Sequence, residues 1–234
     1  GAADMSGWLL MGLPGALYVG GLVDGSIAVG LTVGAWLNWK FVAPRLRSYT
    51  EGSSDSITIP SFFGSRLKDS SNLLRIISGV IILVFFTLYV SSGMVAGGVF
   101  FEQSFGMNYY VGMMLIATVT VLYTLVGGFL AVSWTDVVQG MMMVVALVLL
   151  PIVGMIQLGG PIEMFNQINA IDPKLMTWFE GGTPIGIISA VAWGLGYVGM
   201  PHILVRFMAL TSAQEATKAR RIGIGWMITS SLGA

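Results

Sequence analysis

The sequence has no cysteine and a single histidine, His202. The first absence rules out a disulfide framework and any thiolate-ligated metal. The second leaves no cluster of imidazoles for a zinc or iron site. Charge is almost as scarce: Asp, Glu, Lys and Arg make up 9% of the 234 residues, against about 25% in a soluble domain. A water-soluble fold of this length is excluded. Acidic and basic side chains cancel at 11 each, and a pI near 6.8 argues against a nucleic-acid surface. What fills the chain is apolar, with 55% hydrophobic residues, 32 glycines and a mean hydropathy of +0.83.

The missing charges mark out membrane spans. The intervals 5–23, 25–39, 76–101, 103–135, 137–162 and 181–205 contain no Asp, Glu, Lys or Arg. All but the second are about as long as the roughly 20 residues a helix needs to cross a bilayer. The second becomes long enough if Lys40 snorkels outward from a span near 24–43. A further apolar segment starts at Ile222. The reading is a polytopic, all-α bundle of transmembrane helices in the cell membrane. No secretory leader is visible in the first 15 residues, which lack a basic n-region. Both ends fall within apolar segments, as expected for a piece of a larger transporter-like protein.

The remaining charges set the orientation. Lys40, Arg45, Arg47, Arg66, Lys68 and Arg75 share one loop region, and Arg206, Lys218, Arg220 and Arg221 follow the sixth span. The positive-inside rule places both in the cytoplasm. Spans near 76–101, 109–132, 137–158 and 184–205 then alternate correctly, leaving 44–71 and 206–221 cytoplasmic and the 159–183 loop external. The 44–71 stretch reads as a solvated loop with a short interfacial helix. The glycine pairs Gly21/Gly25, Gly30/Gly34 and Gly93/Gly97 read as close helix–helix packing devices.

Gly194-Leu195-Gly196-Tyr197-Val198-Gly199 matches the dinucleotide-binding expression G-x-G-x-x-G, which has meaning only between a strand and a helix. Here it lies in mid-membrane, and a nucleotide site is rejected. Three glycines in six residues followed by Pro201 predict an interrupted helix. Unwound backbone is tolerated in a bilayer only against protein or a water-filled cavity, which is the physical reason to look for a binding site here. A second interruption is expected at Ala2-Ala3-Asp4-Met5-Ser6-Gly7. Asp4 reads equally as an interfacial carboxylate or as an anion on a cation path. Two broken helices heading successive groups are the mark of an inverted-repeat transporter.

The residues Asp4 to Gly15 (DMSGWLLMGLPG) resemble the solute:sodium symporter family. So do Gly127 to Gln139 (GGFLAVSWTDVVQ), Trp193 to Tyr197 with Pro201 to Leu204, and Ala219-Arg220-Arg221. The first and third of these blocks resemble the proline branch in particular. The resemblance covers essentially the whole chain. It implies a LeuT-like five-plus-five inverted-repeat fold: the first repeat over 1–158 with its first helix truncated, the external loop 159–183, and the start of the second repeat over 184–234. It implies a secondary active transporter, not an enzyme, that couples sodium entry to uptake of a small amino acid, L-proline. Na+ is the coupling ion, and no cofactor is called for. Backbone carbonyls of Ala2 and Met5 would bind sodium with support from Asp4. Ser6, Gly7, Tyr89, Trp193, Tyr197 and Pro201 would contact substrate. The remaining sodium ligands would lie beyond Ala234. A sodium symporter for another solute, such as pantothenate or a sugar, and a symporter-like module of a sensor protein remain as alternatives.

Position adds an independent argument. Tyr89 and Trp193 fall near the midpoints of their spans and Tyr197 lies close by, whereas membrane aromatics usually occupy the interfaces. Three at one depth, two beside a glycine break, point to a pocket. Trp193 and Tyr197, four residues apart, would share a face of a regular helix. Asp136 reads as a topological or packing element at a span's cytoplasmic end, and His202 and Arg206 as gating or anchoring groups.

Overall fold

The computed structural model describes residues 7–180 and 182–234, and the regular structure among them is all helical. A wide turn, Trp8–Gly12, runs into α1 (Leu13–Gly20). Gly21 ends it at φ +75° and ψ −163°, a conformation that favours glycine. The tight turn Gly21–Gly25 leads to α2 (Ser26–Leu37), which continues through a second wide turn, Asn38–Val42, into α3 (Ala43–Glu51). Helix therefore extends to residue 51, where the sequence suggested a loop from 44. Pro44 does not stop it, because in the first turn of α3 its missing N–H is not needed.

Two more short elements occupy the rest of the polar stretch. In α4 (Ile59–Arg66) the Thr58 hydroxyl accepts from Ser61 N–H at 3.3 Å. At the entry to α5 (Leu73–Phe105), the Asp69 carboxylate accepts from the Ser71 hydroxyl at 2.5 Å and from the Leu74 N–H at 2.8 Å. These bonds, the Ser71 hydroxyl first, hold the Asp69 carboxyl below its ordinary range. The 44–71 stretch is thus two helices joined by capped turns.

Helix α6 (Tyr109–Gln157) has 49 residues, about 74 Å at 1.5 Å per residue and more than twice the bilayer core. It is divided at Gly128, whose φ of 52° and ψ of −144° are non-helical. The sequence placed that division between 132 and 137. Glycine carries the positive φ at lower cost than the Ser133–Asp136 segment would, so Asp136 lies inside a helix. Beyond it come α7 (Pro161–Ile171), the short turn Pro173–Met176, α8 (Pro184–Ala192), a 3-10 segment Trp193–Gly199, α9 (Pro201–Met208) and α10 (Glu215–Gly233). Trp8–Glu51, Leu73–Phe105 and Tyr109–Gln157 are long and apolar enough to cross a membrane. The pair Pro184–Gly199 and Pro201–Met208, bent by 48°, makes a fourth span if counted as one.

The core forms where α1, α2, the 193–199 segment, α10 and the far part of α6 meet. Leu9, Leu13, Leu31, Ala35, Leu147, Tyr197 and Met227 are buried together there. A smaller cluster of Ala43, Phe207 and Ala216 joins α3 to α9, with Trp39 edge-on to Phe207 at 4.5 Å between ring centroids. Helix α5 packs on the first part of α6 and on α4, touches His202 through Phe86 and Tyr89, and presents many of its other apolar side chains outward, as lipid-facing helices do.

Glycine makes the tight crossing in the core possible. A Cβ on Gly34 would lie 2.2 Å from the Gly194 carbonyl oxygen, and one on Gly30 would lie 2.4 Å from that of Val191. Gly21 approaches the Leu175 backbone, and Gly97 the Ile116 side chain. Gly93 departs from the expected pairing: nothing lies within 4 Å of a Cβ built there, and it lines a cleft instead.

Candidate functional site

Pro201 decides where the fourth span breaks. In an α-helix running through it, the Tyr197 carbonyl would accept from the N–H of residue 201, and proline has none. Glycines at 194, 196 and 199 weaken the preceding turn further. The chain responds with 3-10 geometry over Trp193–Gly199, an extended Met200 (φ −83°, ψ 108°) and a fresh helix from Pro201. This is the interruption read from the sequence.

The same geometry separates the two aromatics. At 3.0 residues per turn, side chains four apart diverge by about 120°. Trp193 is accordingly 57% exposed, while Tyr197 is 4% exposed and packed in the core. The common face that a regular helix would give them is not formed.

A cleft of about 570 Å³ lies between the start of the described chain, α5 and α6. Gly7, Trp8, Tyr89, Gly93, Thr120 and Gln139 are among its lining residues. Mostly apolar walls with one amide and several hydroxyls suit a small solute. Tyr89 also stacks on His202, with 5.4 Å between ring centroids and 26° between planes, and so connects the cleft to the helix after the break. Of the residues expected to contact substrate, Gly7 and Tyr89 therefore share one cavity. Trp193, Tyr197 and Pro201 do not line it. Ser6 and the expected sodium-site residues Ala2, Asp4 and Met5 lie outside the described residues.

Three polar groups gain partners that no local sequence pattern indicates. Asp136 pairs with Arg206, 70 positions away, and the same guanidinium donates to the His202 carbonyl. Arg47 is 8% exposed, and its Nη1 donates to the Met208 carbonyl at 2.9 Å and to Asp55 Oδ1 at 2.6 Å. It thereby satisfies a carbonyl at the end of α9, where helices leave acceptors unpaired. Asn38 Nδ2 donates to the Tyr197 carbonyl at 2.9 Å. One signal for Asn38 was present in the sequence: it is a lone amide within the charge-free interval 25–39.

Comparison with known proteins identifies the family. The profile of the Sodium:solute symporter family matches residues 1–234. The chain is 58% identical over all its 234 residues to the high-affinity proline transporter PutP of Bacillus subtilis, covering 50% of that protein. It is 56% identical to the osmoregulated proline transporter OpuE of the same organism, again over its whole length and 48% of the relative. The sodium/proline symporter of Staphylococcus aureus is 53% identical over the whole chain and 46% of its own length. The chain thus spans about half the length of the curated relatives it matches. No solved structure gives a significant match. The chain belongs to the sodium:solute symporter family.

Proposed function

We propose that this chain is part of a sodium-coupled symporter for L-proline with a LeuT-like five-plus-five inverted-repeat fold. Residues 1–158 form the first repeat and 184–234 open the second. The observation that carries the reading is the broken span at Trp193–Gly199 in a chain 53–58% identical, end to end, to three proline transporters. Sodium at the first helix, held by carbonyls of Ala2 and Met5 with Asp4 nearby, would fix the segment that presents Ser6 and Gly7 to substrate. Tyr89, which lines the cleft with Gly7, and the exposed Trp193 would complete the proline pocket, while Tyr197, buried in the core, and Pro201 would shape the broken span behind it. Free N–H groups suit the carboxylate and aromatic faces suit the secondary ammonium. Ion and substrate are then linked, each tightening the other's binding by one factor. In the test, full-length protein takes up radiolabelled proline with sodium outside and loses most of that uptake with potassium. Sodium-independent uptake, or none, would refute the proposal.

The sidedness follows from charge and is supported by packing. The two basic regions meet through the Arg47–Met208 bond, and the Gly21 turn meets Leu175 of the 159–183 loop. Each contact joins segments that the positive-inside rule puts on one side. In the Cys-free chain, a cysteine at Ser54 is expected to resist an impermeant thiol reagent added to intact cells, whereas one at Ile171 is expected to react. The opposite pattern would invert the topology.

A further inference from the structure

Lys40 and Arg220 approach one aromatic ring from two different helices. The Lys40 ammonium lies 4.5 Å from the Trp36 ring centroid and 5.1 Å from that of Phe41. The guanidinium carbon of Arg220, on α10, lies 5.9 Å from the same Trp36 centroid. An aromatic face attracts cations but carries no net charge, so the two positive charges are gathered there without being neutralised. Among the described residues neither has a carboxylate within ion-pair distance, whereas Arg47 is paired with Asp55 and Arg206 with Asp136. Trp36 is 38% exposed and Lys40 is exposed beside it, so the pair is open to a ligand.

The chain around this pair is ordered from charged to apolar. Val29, Val33, Trp36 and Lys40 recur at intervals of four, three and four, which sets them on one stripe of a helix, and all four are exposed. The contact between Lys40 and Trp36 shows that the stripe continues from α2 into the wide turn. From Lys40 back to Val29 is about 16 Å at 1.5 Å per residue, close to half of a hydrocarbon core about 30 Å thick. Val29 and Val33 also line an apolar groove of about 370 Å³, with Ile228 and Leu232 of α10 on its other side. Cations at the cytoplasmic end, an aromatic ring next and an apolar groove toward the membrane interior repeat the order of headgroup, glycerol and acyl chain in a phospholipid.

We propose that Lys40 and Arg220, gathered on Trp36, bind the phosphate of an anionic phospholipid from the cytoplasmic leaflet, with an acyl chain lying along Val33 and Val29 into the groove shared with α10. The guanidinium fork matches two phosphate oxygens, and the ammonium adds a point charge. A zwitterionic lipid brings a cation of its own to a site that already holds two, so it gains less. Bound lipid ties α2 to α10. The inference depends on the chain spanning a membrane with its basic regions in the cytoplasm, and not on which solute it carries.

In the test, full-length protein in detergent is titrated with phosphatidylglycerol and, in parallel, with phosphatidylcholine, and bound lipid is counted by native mass spectrometry. The parent is expected to hold a phosphatidylglycerol with a preference of roughly ten-fold or more, since each cation beside an anionic headgroup contributes about five-fold. Lys40→Gln combined with Arg220→Gln should abolish that preference. Lys218→Gln combined with Arg221→Gln removes the same charge from the same helix and should keep it. Millimolar inorganic phosphate should not displace the lipid, because the acyl chain also holds it. If the first double variant does not accumulate, fluorescence decides. Phosphatidylglycerol brominated on its acyl chain should quench the parent more than Trp36→Phe, and brominated phosphatidylcholine should quench both alike. Absence of a preference in the parent would overturn the proposal and point to a carboxylate elsewhere in the full-length protein as the partner of the two cations. Equal loss in the two double variants would overturn it in favour of a general attraction to basic surface. Displacement by phosphate would overturn it in favour of a free-anion site, and equal quenching of parent and Trp36→Phe by brominated phosphatidylglycerol would also overturn it.

Discussion

Gly34→Ala in the full-length protein is expected to lower the midpoint of thermal unfolding in detergent and to cut the amount of folded protein at the membrane severalfold. The new methyl would stand 2.2 Å from the Gly194 carbonyl oxygen and 2.5 Å from its Cα. Both are backbone atoms and cannot rotate away. Gly194 is equally confined, since a Cβ there would lie 2.1 Å from the Gly30 carbonyl oxygen. Helix α2 and the 191–194 segment would have to separate, and the Asn38–Tyr197 hydrogen bond would be strained with them. Overpacking costs about 1–3 kcal/mol, and a backbone-on-backbone clash belongs at the upper end. Gly225→Ala is the control, because nothing lies within 4 Å of a Cβ at that position. It should leave the midpoint unchanged or slightly raised, as alanine favours helix. A Gly34→Ala protein as stable as the parent would show that the two helices do not cross this closely.

The second large effect separates the two aromatics of the break. Tyr197→Ala would empty a site that is 4% exposed within the main core. Truncating a buried aromatic costs about 3–5 kcal/mol. The variant is expected to lose most of its surface expression, and Tyr197→Phe to keep it. Trp193 is 57% exposed, so Trp193→Ala should be expressed normally and show its effect in proline KM. On helical spacing alone, both alanine variants would be expected to impair affinity more than expression. The 3-10 geometry divides them. Surface biotinylation alongside initial uptake rates distinguishes the outcomes, and normal expression of Tyr197→Ala would contradict the buried placement.

Much of this protein is written along the chain because a bilayer imposes one-dimensional rules. Charge-free length fixes where helices can cross, and the distribution of Lys and Arg fixes which loops share a side. Pro201 with Gly194, Gly196 and Gly199 favours a break through local backbone chemistry. These are local constraints, legible before any fold is known. The division of α6 was placed a few residues late because the charge at Asp136 and the glycine at 128 competed as boundary signals. The charge proved compatible with a helix once Arg206 was beside it.

Tertiary structure decided what the broken backbone is joined to. Which helix supplies a donor to the Tyr197 carbonyl, which guanidinium ends α9, and which glycines face a neighbour rather than a cleft all depend on contacts between residues far apart in sequence. Gly93 and Gly34 have the same composition and similar spacing to a second glycine, yet one borders open space and the other touches backbone. Asn38 and Tyr197 are 159 positions apart. The sequence by itself determined that a regular α-helix is weakened between Gly194 and Pro201, because glycine is a poor helix former and proline lacks the N–H that would continue the helix. Only the packing of helices across that span determined that Asn38 would reach the Tyr197 carbonyl, since a hydrogen bond needs its partners within about 3 Å in space, whatever separates them along the chain.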